Sequence, residues 1–91
     1  MNLDSNVKPL YADSILIEPT GRTLGSTNVP TYTLKIAVGK EWITTEPVTP
    51  ECVGELEEAS TDLKGIAFTF VLAEKKVLRK FVVNTATKIH R

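Results

Sequence analysis

The stretch Tyr32-Thr33-Leu34-Lys35-Ile36-Ala37-Val38-Gly39-Lys40-Glu41-Trp42-Ile43-Thr44-Thr45 decides how the rest of the chain is arranged. From Tyr32 to Val38 the large apolar residues occupy alternate positions, which is the period of a strand with one buried face. Gly39-Lys40 then predicts a two-residue turn, because glycine at the first turn position supplies the positive φ of a type II′ hairpin. The stretch therefore predicts a β-hairpin.

A two-residue turn fixes which residues face each other across this hairpin. The expected pairs are Val38 with Glu41, Ala37 with Trp42, Ile36 with Ile43, and Lys35 with Thr44. Opposed residues share one face of a sheet, so Ile36 and Leu34 take the core face and Trp42 takes the other face with Lys35. Trp42 is then either covered by another segment or exposed as an aromatic that stacks or anchors a partner.

The remaining segments predict a β-rich α+β fold in a single domain, residues 1–91, a length that suits one modest core. A strand is expected at 14–18, ended by Pro19 and followed by a loop at 20–28. Residues 50–59 predict a short helix, capped by Thr49 and begun by Pro50, and residues 66–72 predict another strand. These elements favour a small antiparallel sheet or a partly open five-stranded barrel with the OB-fold plan.

Residues 73–83 allow two interpretations. The paired pattern of apolar and basic residues fits a second short helix, which would gather Lys75, Lys76, Arg79 and Lys80 on one side. A turn at Glu74-Lys75 followed by a final strand fits the β-branched residues that continue towards Ile89. We favour the strand because the segment after Val82 remains β-like.

Charge is separated along a chain whose net charge is zero. Residues 41–62 hold seven acidic residues and no Lys or Arg, whereas residues 63–91 hold seven basic residues and one acidic residue. The predicted helix presents an acidic assembly face consisting of Glu51, Glu55, Glu57 and Glu58. Either this face is simply solvated and the blocks neutralise each other within one copy, or the acidic block of one copy meets the basic block of another.

Catalytic chemistry is not indicated. Cys52 is the only cysteine and His90 the only histidine, so no disulfide, metal-ligand spacing or catalytic pair is apparent, and we expect neither an enzyme nor a cofactor. No apolar run is long enough to span a bilayer, and Met1–Asn6 lacks the features of a signal peptide. We therefore expect a cytoplasmic or virion protein that is neither secreted nor transmembrane, with no membrane and no small-molecule substrate among its partners.

Two functions fit this composition. The first is a self-associating subunit of a homo-oligomer or shell, such as a viral or phage-type structural protein, because a short chain with a modest core gains stability from association. The second is an OB-like protein that binds single-stranded nucleic acid through base stacking and phosphate contacts. The candidate binding residues, for a protein partner or a nucleic acid, are Trp42, Lys35, Lys75, Lys76, Arg79 and Lys80.

The beginning of the chain suggests a third function. Val7-Lys8-Pro9-Leu10-Tyr11-Ala12-Asp13 leads into the apolar strand at 14–18, and Ala37-Val38-Gly39 and Val53-Gly54-Glu55 follow. These stretches resemble GroES-type co-chaperonins, whose opening is Lys-Pro-Leu, then Asp, then an apolar strand. The resemblance implies an accessory subunit that docks on a chaperonin. Relative to that pattern, Ala12 is an insertion and 20–28 contains no apolar tripeptide for docking.

Overall fold

The computed structural model describes residues 8–91, which form seven strands and one helix. The elements are β1 (Leu10–Tyr11), β2 (Ser14–Thr23), β3 (Pro30–Val38), β4 (Glu41–Thr44), α1 (Pro50–Ala59), β5 (Ile66–Val71), β6 (Leu78–Val83) and β7 (Lys88–His90). The predicted β-rich α+β class with one short helix is confirmed. Met1–Asn6, on which the secretion prediction depends, lies outside the described residues.

The four-stranded sheet has the order β4-β3-β2-β7 and is built around the predicted hairpin. The pairs of β3 with β4 are those that a two-residue turn requires, including Ala37 opposite Trp42 and Ile36 opposite Ile43. Gly39 has φ +62° while Lys40 does not enter the positive-φ region, the combination found in a type II′ turn. The turn therefore sets the register, and the register places Trp42 on the face opposite the core.

Strand β2 is longer than predicted, because Pro19 does not end it. Pro19 opposes Tyr32, whose N–H and C=O both bond to Val48, at 2.9 and 2.7 Å. Pro19 therefore lies at a position that exchanges no hydrogen bonds with β3. The absence of an N–H on proline removes no hydrogen bond between β2 and β3. The pairing continues with a shifted register as far as Thr23, so the predicted loop at 20–28 is restricted to residues 24–29.

The three-stranded sheet has the order β1-β6-β5, and the second helix considered for 73–83 is wrong. The chain turns at 72–77, where the Leu72 N–H donates to the Val77 carbonyl at 2.8 Å and Lys76 takes φ +55°. Residues 78–83 then pair with β5 at six successive positions. Six ladder positions and the burial of Phe81 and Val83 outweigh the local helical period.

Both sheets are mixed, which differs from the antiparallel sheet or five-stranded barrel that we expected. β1 runs parallel to β6, and β2 runs parallel to β7. A hydrogen bond just before the first residues of β2 and β7 stabilises their pairing: the buried Thr87 hydroxyl donates to the Ala12 carbonyl at 2.7 Å. A single bridge between Thr45 and Leu72 joins the two sheets, which do not close into a barrel.

The core lies between the two sheets, and α1 packs beside it. Fully buried side chains come from the four-stranded sheet (Ile15, Leu34 and Ile36) and from the three-stranded sheet (Phe81 and Val83). Phe70 and Phe81 extend the core as a tilted aromatic pair with ring centroids 6.2 Å apart. The two sheets thus bury their inner faces against each other, as layered β proteins do.

Helix α1 follows the predicted limits and buries one face. Val53, Leu56 and Ala59 are buried at the spacing of successive helical turns. Thr49 occupies the N-cap position in an extended conformation, but its side chain makes no capping hydrogen bond, so the predicted cap is present in position only. Burial of the three apolar residues, rather than capping, stabilises this helix.

Candidate functional site: a groove and an exposed apolar face

A groove of about 540 Å³ lies where the β3–β4 hairpin approaches the β5–β6 hairpin. Backbone hydrogen bonds hold the two hairpins together beside it, from the Glu46 N–H to the Val71 carbonyl at 2.8 Å and from the Ala73 N–H to the Thr44 carbonyl at 2.9 Å. The residues that line the groove include five apolar ones: Leu10, Val38, Ile43, Leu72 and Val77. Its size is within the range of ordinary ligand pockets.

The rim of the groove carries an exposed indole and charges of both signs. Trp42 is 60% exposed, so the alternative in which another segment covers it is wrong for the described residues. Glu41, Glu74 and Lys75 line the groove near it, and Arg79 is half-buried on the inner side of β6. The groove thus combines an aromatic surface with two acidic and two basic residues, of which Arg79 is half-buried.

The six candidate binding residues do not form one site. Trp42, Lys75 and Arg79 line the groove. Lys35 lies on the same sheet face as Trp42, but its ammonium is 3.0 Å from the Glu18 carboxylate. Lys76 is paired with Glu46, and Lys80 lies on the outer face of the three-stranded sheet beside Thr69. The basic run is therefore divided among a turn, the groove and a sheet face because it adopts a strand rather than a helix.

The outer face of the three-stranded sheet carries apolar side chains, most of them exposed, on both sides of a polar row. Because opposed residues share a face, the positions away from Phe81 form what we call the outer apolar face. It consists of Tyr11, Ala67, Val71, Leu78 and Val82. Tyr11 and Leu78 are 65% and 60% exposed.

Sequence reasoning missed the outer apolar face, although one signal for it was present. The predicted strand at 66–72 puts Ala67 and Val71 opposite its phenylalanines, and neither residue is polar. The contribution of Leu78 and Val82 depended on the strand interpretation of 78–83. The contribution of Tyr11 depended on a parallel pairing that local sequence does not reveal.

The predicted acidic assembly face is exposed, and intramolecular pairing neutralises only part of the acidic block. Glu51, Glu55, Glu57 and Glu58 are all exposed on α1. Glu57 accepts from the Arg91 guanidinium at 2.8 Å, and Glu46 pairs with Lys76, so two acids of the block meet basic residues of the same copy. The three other helix glutamates form no salt bridge within residues 8–91.

The only thiol is poorly suited to act as a nucleophile. Burial, with a smaller contribution from the Glu55 carboxylate, raises the pKa of Cys52 above its ordinary value. A raised pKa lowers the thiolate fraction, and the thiolate is the reactive form. Among residues 8–91 no group of three or more His, Cys, Asp or Glu is placed to hold a metal ion.

No protein family, curated protein or solved structure matches this chain. Helix α1, the helix within residues 8–91, is too short and too polar to cross a membrane. The functional argument therefore depends on the surfaces described above.

Proposed function

We propose that this protein is a self-associating, non-enzymatic subunit of a homo-oligomer, with a viral or phage shell as one setting that fits. The observation that carries the proposal is the outer apolar face, where Tyr11, Val71 and Leu78 stand exposed on paired strands. Covering these side chains removes apolar surface from water at about 25 cal/mol per Å². A second copy can provide that cover.

The charge of the chain supports association with itself. The net charge is zero, so two copies meet without long-range repulsion. Among the described strand pairs, Lys80 and Thr69 form one polar row, which lies between the two apolar rows of the outer apolar face. The unpaired glutamates of α1 can contribute register and selectivity where they approach basic residues of a neighbour.

Substitution of Leu78 tests this proposal through the mass in solution. The wild-type chain is expected at a multiple of 10.0 kDa. Leu78→Lys should weaken association at least about tenfold, because a second ammonium, beside that of Lys80, would have to be desolvated in the contact. Leu63→Lys is the matched control, since Leu63 is 85% exposed outside the outer apolar face and should leave the mass unchanged. A wild-type chain that remains monomeric at high concentration would contradict the proposal.

A second candidate function, binding of single-stranded nucleic acid, is favoured by the groove. Trp42 offers a stacking surface at its rim, while Arg79 and Lys75 can meet a phosphate. Glu41 and Glu74 on the same rim oppose a polyanion, which ranks this function below self-association.

Titration with a labelled single-stranded oligonucleotide at low salt tests this candidate. Trp42→Ala should weaken binding by roughly five- to 150-fold, since one stacked base contributes about 1–3 kcal/mol. Leu63→Ala changes an exposed side chain away from the groove and should have no effect. Equal affinity of the wild type and the Trp42 variant would exclude stacking on this indole.

A further inference from the structure

Strand β5 forms an edge of the three-stranded sheet, and its sequence is unusually apolar for an edge strand. The strand reads Ile66-Ala67-Phe68-Thr69-Phe70-Val71, with no charge, proline or glycine. Edge strands of monomeric proteins ordinarily carry lysine, proline or a bulge, which discourages pairing with another chain. None of these protections is present between Ile66 and Val71.

The direction of the free hydrogen-bonding groups follows from the neighbouring contacts. Val71 accepts from Glu46 and Ala73 donates to Thr44, so the backbone groups of these residues point away from β6. Because the direction of the backbone groups alternates along a strand, the N–H and C=O groups of Ala67 and Thr69 also point away from β6. No backbone partner for these two residues occurs on that side within residues 8–91. Both side chains are exposed, so the edge is open to an incoming strand.

We propose that β5 pairs with β5 of a second copy in an antiparallel register centred on Phe68, which joins two three-stranded sheets into one. This inference rests on the proposed function and adds a contact along the sheet edge to the association through the outer apolar face. In this register Ala67 of each copy opposes Thr69 of the other. The two residue pairs exchange four backbone hydrogen bonds and use every free group that points outward between Ala67 and Thr69.

Side chains support a second copy as the occupant. The register brings Phe68 opposite its own counterpart at a position without hydrogen bonds, where cross-strand side chains approach most closely. Phe68 is half-buried and already stacks on Phe70 with ring centroids 5.9 Å apart, so the pair would extend an existing aromatic row.

Charge along β5 does not oppose the same arrangement. The strand itself is uncharged, so no like charges meet along it. Such a contact is isologous and closes a dimer, leaving the remainder of the outer apolar face for higher assembly.

Disulfide trapping tests the register. In a Cys52→Ala background, Ala67→Cys and Thr69→Cys chains are prepared separately and also co-expressed, then oxidised. Directly opposed residues are about 5.5 Å apart between Cα atoms, within disulfide reach, whereas identical residues of the two copies are diagonal and about 7–8 Å apart. The co-expressed pair should therefore cross-link up to roughly half of the chains, as random pairing in a symmetric dimer allows. Each chain alone should cross-link little.

The outcomes separate this inference from the proposed function. Strong cross-linking of either chain alone would overturn the stated register. If the wild type is oligomeric but the co-expressed variants form no disulfide cross-link, edge pairing is overturned and self-association is not. A monomeric wild type would overturn both. Exposure of both positions makes the substitutions compatible with folding, which circular dichroism of each variant checks.

Discussion

Replacing Phe81 by alanine is expected to lower the free energy of unfolding by about 3–5 kcal/mol. Phe81 is fully buried on β6, the central strand of the three-stranded sheet, between Leu10 on β1 and Phe68 on β5. Its ring also packs against Phe70. Truncation would leave a cavity bordered by three strands. Because these strands are hydrogen-bonded to one another, they cannot move inward separately to fill it.

Denaturant unfolding at one fixed protein concentration measures this loss, since association contributes to the apparent stability. Total stability for a domain of this size is about 5–15 kcal/mol, so the variant should retain only part of it. Leu63→Ala is the control and should change stability by less than about 0.5 kcal/mol, because Leu63 is 85% exposed outside the strands and outside the proposed contacts. A Phe81 variant within that range would show that the ring does not anchor the core.

Leu56→Ala should lower the free energy of unfolding by about 2–5 kcal/mol. Leu56 is fully buried on α1, where it packs into the core cluster together with Val53. Alanine keeps the helix propensity high, so the loss reports packing rather than local helix stability. Urea unfolding of the purified variant provides the measurement.

Glu55→Ala is the matched control for Leu56, because it changes the adjacent, exposed position of the same helix. Its effect should stay within about 0.5 kcal/mol, since no described salt bridge holds this carboxylate. Comparable losses for the two variants would mean that the acidic face contributes to the fold of a single copy. That outcome would argue against its being available for assembly.

Local patterns predicted the parts of the fold that short-range geometry determines. The β3–β4 register followed from one two-residue turn, and this register placed Trp42 on the face opposite the core. Whether another segment covers Trp42 was left open by the sequence, and the structure shows it 60% exposed. The limits of α1 followed from Pro50 and from the spacing of Val53 and Leu56. In each case the decisive contacts lie within about a dozen residues of one another.

The remaining features depend on pairings between distant segments. The segment at 78–83 carries both a helical and a strand pattern, and its position between β1 and β5 decides between them. The groove requires two hairpins to meet at the Thr45–Leu72 bridge, which no residue pattern marks. Arg79 was therefore predicted as part of a basic surface, although it lines a groove between hairpins.

The parallel pairing of β2 with β7 has a consequence for biosynthesis. The hydrogen bond from Thr87 to Ala12 joins residues 75 positions apart, so a ribosome must make nearly the whole described chain before this contact can form. At about 5–20 residues per second, synthesis of the intervening chain takes roughly 4–15 seconds, and β2 lacks β7 as its neighbour for that time. During this interval the edge of β2 that β7 later covers is unpaired, and rapid completion or a chaperone would protect it from aggregation.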